Sequence, residues 1–96
     1  MSKYRRAKKI DSNQPDIVKT LRSIPGVTVE LDHDDIICGY KGRTYWFEIK
    51  TPDCVGKDGK IKPSEIKPSQ VKLSKEFTGH HKIVWEIEQI LHEIGL

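Results

Sequence analysis

The stretch that most constrains this chain runs from Asp35 to Lys50, DIICGYKGRTYWFEIK. Two segments of strand-forming residues flank Lys41-Gly42, a pair suited to a two-residue hairpin turn because glycine accepts the positive φ such turns need. Centring the turn there pairs Tyr40 with Arg43, Cys38 with Tyr45, Ile36 with Phe47 and Asp35 with Glu48. A longer loop from Tyr40 to Arg43 keeps the same pairing. Directly opposed side chains share a face of the sheet with Cβ atoms about 5 Å apart, where two like charges are destabilising. Side chains alternate along a strand, so Glu48 and Lys50 point one way and Ile49 the other. The hairpin therefore predicts two carboxylates and an ammonium converging at one end. A Mg²⁺ ion would offset the repulsion, since it prefers hard oxygen ligands and keeps positions for water and phosphate oxygens. Without an ion the same residues read as a solvated strand end in which Lys50 neutralises Glu48. An E-x-K triplet alone is common, and the acid at the matching hairpin position gives it weight.

Asp34 competes with Asp35, because one residue of loop length would oppose it to Glu48 instead. In the register above Asp34 falls with Ile36, Cys38, Phe47 and Ile49 on the apolar face, which favours Asp35.

Ninety-six residues suffice for one domain with one core. The net charge of +3 is modest, but five of the first nine residues are basic (Lys3, Arg5, Arg6, Lys8, Lys9) and Lys57, Lys60, Lys62 and Lys67 punctuate the central loop. Such clusters suit a polyanion, whose phosphates release counterions when neutralised; a short basic terminus also serves simply as a solubilising tail. Cys38 and Cys54 lack metal-ligand spacing and read as reduced thiols. No apolar stretch follows the basic start, so no membrane span is expected and the protein reads as soluble and cytoplasmic.

Residues 1–12 are polar and basic without periodicity and read as a flexible arm, with one domain over 13–96. Ser12 or Asn13 can cap a first helix, Pro15 fits its first turn, and Ile17, Val18, Leu21 and Ile24 form an apolar stripe ended by Pro25-Gly26. Asp16 suits the positive end of the helix dipole, and could also reach an active site. Val27 to Leu31 reads as a strand. The acids around His33 do not have the spacing of a calcium loop. Thr51 to Lys67 is a long connection with a possible turn at Asp58-Gly59, either a flexible insertion or a segment gripping a phosphate backbone. A second helix is expected from Pro68 to Gly79, with Gln70, Leu73 and Phe77 facing inward. His80-His81 then falls in a turn, Lys82 to Glu86 forms a strand, and Ile87, Ile90, Leu91 and Ile94 stripe a last helix. The expected class is α/β, in the order α-β-β-β-α-β-α.

Asp35-Ile36-Ile37-Cys38-Gly39, Gly42-Arg43, Glu48-Ile49-Lys50, Pro68-Ser69-Gln70 and the leading Asn13-x-x-Asp16-Ile17 together resemble the PD-(D/E)xK nuclease superfamily. The nearest likeness is to stand-alone phage-type VRR-NUC domains and Holliday junction resolvases, and it runs over residues 13 to 95. Asp34 stands where that pattern has proline, and Asp16 where glutamate is more usual. The resemblance implies a restriction-endonuclease-like mixed central sheet flanked by helices, and Mg²⁺-dependent cleavage of DNA, with Mn²⁺ able to substitute. It implies a metal held by Asp35, Glu48 and the main-chain carbonyl of Ile49, with Lys50, Gln70 and Asp16 completing the catalytic set. The arm lysines and arginines, Asn13 and the loop lysines would contact the DNA backbone, which positions DNA without reading sequence. A branched or junction substrate in replication, repair or recombination follows, in a bacterial or phage-infected cell. Two incisions at a junction predict a homodimer. The alternative is a non-catalytic nucleic-acid-binding module that keeps the nuclease fold.

Overall fold

A computed structural model describes residues 12–32 and 35–96, Asp32 by its backbone alone. The basic arm residues Lys3, Arg5, Arg6, Lys8 and Lys9, and the competing acid Asp34, lie outside the described residues.

The chain is a mixed α/β structure. Helix α1 (Gln14–Arg22) leads into strands β1 (Val27–Asp32), β2 (Asp35–Tyr40) and β3 (Arg43–Ile49), then a long crossover with helix α2 (Pro68–Glu76), strand β4 (His81–Val84) and helix α3 (Ile87–Ile94). The strands form one sheet in the order β1-β2-β3-β4, antiparallel up to β3 and parallel between β3 and β4. The parallel pair demands a crossover, because the chain must return to the same end of the sheet before running alongside β3. That return is what the residues after Lys50 supply.

The hairpin turn is the feature that sets the register. Lys41 and Gly42 have φ of 50° and 77°, the pair of positive angles of a type I′ turn, whose twist matches that of the strands it joins. Tyr40 then pairs with Arg43 and every later pair follows, down to Asp35 with Glu48.

Alternation divides the sheet into two unlike faces. Ile36, Cys38, Tyr45, Phe47, Ile49 and Val84 are buried on one face, together with Ile17, Val18 and Leu21 of α1 and Ile90 and Ile94 of α3. Burial also pushes the Cys38 thiol pKa upward. The other face carries Asp35, Trp46 and Glu48, and is met by the end of α2 through the ring of Phe77. No residue of α2 is fully buried. This helix ends at Glu76 rather than running on to Gly79, and Phe77, expected inward, leaves 42% of its surface exposed. Strand β4 begins at His81, one residue before the expected Lys82, because its pairing with β3 starts at Trp46 opposite His81.

The crossover is structured. Single helical turns occupy Pro52–Cys54 and Pro63–Glu65, and Val55 bridges Ile61 around a small turn in which the Lys60 N–H donates to Asp58 Oδ1 at 3.0 Å. Lys57, Lys60, Lys62 and Lys67 are exposed on it. Among the described residues no helix is long and apolar enough to cross a membrane.

Candidate functional site

The site is built at the open end of the β2–β3 hairpin. Tyr40 and Arg43 flank a two-residue turn and so exchange hydrogen bonds. Alternation from there makes Asp35–Glu48 a pair of the other kind, in which side chains approach most closely. Two acids thus sit side by side, and Glu48 is only 3% exposed. Burial of like charges costs free energy unless cations or donors compensate. Among the described residues a cation and a donor meet the pair. Lys50 Nζ lies 3.9 Å from Glu48 Oε2, and the Trp46 indole N–H donates to Asp35 Oδ2 at 2.8 Å. Asp35 Oδ1 is buried with no hydrogen-bond partner among the described residues.

The backbone around this pair is held on both sides. Lys50 N–H donates to the Val84 carbonyl at 2.8 Å, and the Lys50 carbonyl accepts from the Asn13 side-chain amide at 3.0 Å. The same Asn13 nitrogen donates to the Trp85 carbonyl at 3.1 Å. Asn13 makes no side-chain cap for its own helix. Its amide nitrogen straps α1 to the ends of β3 and β4. Trp46 and Lys50 direct their N–H groups toward the β4 side, so by alternation the Ile49 carbonyl faces the start of β2, beside Asp35.

The other residues singled out in the sequence fall as follows. Asp16 is exposed in the first turn of α1 and lines a groove of about 270 Å³ with Asn13, Ile17, Trp85, Glu86 and Glu88. Gln70 is half-buried in the first turn of α2, where its Oε1 accepts the Lys67 backbone N–H at 3.0 Å and so caps that helix. The structure therefore brings Asp35, Glu48, Lys50 and the Ile49 carbonyl together, and engages Gln70 in a local cap.

Two participants were missed in the sequence, Trp46 and His81. Trp46 lies two residues before Glu48 and so on the same face, and period-2 alternation alone could have placed it beside Asp35. His81 packs edge-on to Trp46 with ring centroids 5.1 Å apart. Burial lowers its pKa from 6.5, and the nearby Asp35 carboxylate partly counters that shift.

Among the described residues no three His, Cys, Asp or Glu side chains gather into a metal-ligand group. What the site offers is two carboxylates and one main-chain oxygen, an all-oxygen set of the kind Mg²⁺ takes while keeping several waters. The unpartnered Asp35 oxygen fits such an ion, because a cation there would satisfy it and offset the repulsion from Glu48. The chain matches no protein-family model, no curated protein and no solved structure. The functional reading therefore rests on this geometry and on the motifs above.

Proposed function

We propose that this chain is a Mg²⁺-dependent endodeoxyribonuclease of the PD-(D/E)xK kind, with the restriction-endonuclease-like arrangement α-β-β-β-α-β-α, acting on branched or junction-containing DNA. The observation that carries the reading is the Asp35–Glu48 pair, opposed across the hairpin, with one Asp35 oxygen buried and without a hydrogen-bond partner among the described residues. A purely structural pair of acids would be expected to have every oxygen matched by a donor.

Asp35, Glu48 and the Ile49 carbonyl would hold the ion. When bound, it supplies positive charge for the scissile phosphate and lowers the pKa of water. Trp46 fixes the rotamer of Asp35 through its indole N–H. Lys50, with its backbone held by Val84 and Asn13, presents a fixed cation that orients the attacking water or takes up charge in the transition state. Asp16 on α1 and the Gln70 amide nitrogen on α2 would complete the catalytic set, as the resemblance implies. Exposed Lys57, Lys60, Lys62 and Lys67 suit contacts with the phosphate backbone. Two cuts at a junction call for a homodimer, and the setting is the cytoplasm of a bacterial or phage-infected cell.

The test is cleavage of junction, flap and linear DNA in Mg²⁺ or Mn²⁺ by the wild type beside Asp35→Ala and Lys50→Ala. Cleavage by the wild type and a loss of about 100-fold or more in each variant are expected. Undiminished activity in Asp35→Ala would overturn the ligand assignment. DNA that is bound but left uncut by the wild type would make the chain a binding module instead. Sedimentation showing a monomer with and without DNA would remove the dimer.

A further inference from the structure

The face of the sheet that carries Asp35 and Glu48 also carries an aromatic cluster that hydrolysis alone does not use. Trp46 and Phe77 meet edge to face, with centroids 5.3 Å apart and planes at 81°. His81 stands edge-on to both, 5.1 Å from Trp46 and 6.3 Å from Phe77. Rings that only complete a core are buried, whereas Phe77 leaves 42% of its surface open to solvent. Its ring lies back over Gly79, where an added Cβ would come within 2.7 Å of it. The ring therefore holds this pose only because residue 79 has no side chain.

The cluster is joined directly to the candidate site, since the Trp46 indole that supports Phe77 also donates to Asp35 Oδ2 at 2.8 Å. The helix that ends just before Phe77 is basic. Against the single acid Glu76, α2 exposes Lys72 and Lys75, with Lys67 at its N-cap. An open aromatic ring at the end of a helix that exposes lysines, one contact away from carboxylates suited to a phosphate-bound metal, has the chemistry that receives a nucleobase. Every base offers a π-face, so such stacking tolerates any sequence. Bases inside a continuous duplex are already stacked on their neighbours and are not available to it.

We propose that Phe77, supported by Trp46 and His81, is a stacking platform for an unpaired base next to the scissile phosphate. This inference rests on the endonuclease reading and deepens it. The substrate class becomes DNA that carries unpaired nucleotides at the cut, such as a flap or an open branch point, in preference to continuous duplex.

The test measures binding by fluorescence anisotropy in EDTA, where nothing is cut, using the full chain. Three labelled DNAs are compared: a flapped duplex, the same flap with abasic nucleotides at the branch, and a continuous duplex. Wild type, Phe77→Ala, Phe77→Tyr and Gly79→Ala are compared on each, with circular dichroism to confirm folding. The wild type is expected to favour the flap, and Phe77→Ala to weaken flap binding by about 5- to 100-fold while changing duplex binding little. Phe77→Tyr should retain wild-type binding, and Gly79→Ala should shift toward the Phe77→Ala value. Abasic nucleotides should reproduce the loss in the wild type and add nothing further in Phe77→Ala. An equal effect of Phe77→Ala on flap and duplex, or no effect of the abasic sites, overturns the platform and leaves the endonuclease reading standing. Absence of binding to every DNA overturns the platform, and absence of cleavage of every DNA in Mg²⁺ and Mn²⁺ overturns the endonuclease reading.

Discussion

Replacing Asp35 with asparagine is expected to stabilise the protein while abolishing the function proposed for it. Asp35 and Glu48 are direct cross-strand partners, with Cβ atoms about 5 Å apart. Two unit charges at that distance, in an effective dielectric of about 20, repel by roughly 3 kcal/mol. Lys50, 3.9 Å from Glu48 Oε2, offsets part of this, so the relief on removing one charge is about 1–2 kcal/mol. The substitution costs little elsewhere. Asparagine keeps an oxygen to accept the Trp46 indole N–H, and it offers an amide N–H to the facing carboxylate from the buried position where Oδ1 has no partner. In a domain of this size that gain corresponds to a rise in Tm of about 4–15 °C. The assay is thermal and urea unfolding of both proteins in EDTA and then in Mg²⁺. In EDTA the variant should be the more stable. Added Mg²⁺ should raise the wild type, because a ligand that binds only the folded state stabilises it by mass action, and should raise Asp35→Asn much less. If Asp35→Asn is no more stable than wild type in EDTA, the carboxylates do not repel and the central argument about the site fails. If Mg²⁺ stabilises both proteins equally, Asp35 is not a ligand.

Other perturbations probe the frame that holds the pair. Asn13→Ala removes two hydrogen bonds to the Lys50 and Trp85 carbonyls and should cost about 1–3 kcal/mol in urea unfolding; a cost under about 0.5 kcal/mol would mean the strap is incidental. Lys41, at φ 50°, occupies a position that asparagine favours, so Lys41→Asn should stabilise by up to about 1 kcal/mol, whereas Gly42→Ala should destabilise by about as much; the reverse order would contradict the type I′ turn. Burial lowers the His81 pKa from 6.5 in the folded protein, so below pH 6.5 the unfolded chain binds the proton more readily. The stability this residue contributes is present above pH 6.5 and is lost as pH falls toward its folded pKa. His81→Asn should flatten the fall in urea stability between about pH 7.5 and 5.5, and an unchanged slope would assign that fall to other groups.

What was legible in the sequence, and what was not, divides by how far apart the interacting residues lie. The hairpin could be read because a two-residue turn and period-2 alternation are local rules. Once the loop length is fixed at two residues they place Asp35 opposite Glu48, and burial of the Ile36 face is what favoured that length over the one opposing Asp34. The stripes of α1 and α3 could be read for the same reason, since one face of each had to be apolar. The strap could not. Asn13 sits where a helix cap is expected, and its bonds reach across 37 and 72 residues to carbonyls whose positions only the finished sheet determines. His81 was misplaced into a turn because the start of β4 is set by parallel pairing with Trp46, a contact with no local signature. Phe77 was expected inward on helical spacing, but α2 stops one residue before it and the chain leaves helical geometry there. The non-local contacts also explain how two acids persist side by side, one of them buried. The indole of Trp46 holds the Asp35 side chain in place, and the strands and the Asn13 strap fix the backbone at Lys50. Local rules violated at one spot and enforced by the surrounding structure are the expected mark of a functional site in an otherwise consistent fold. Here that violation coincides with the acids and lysine that the hairpin arithmetic had already brought together.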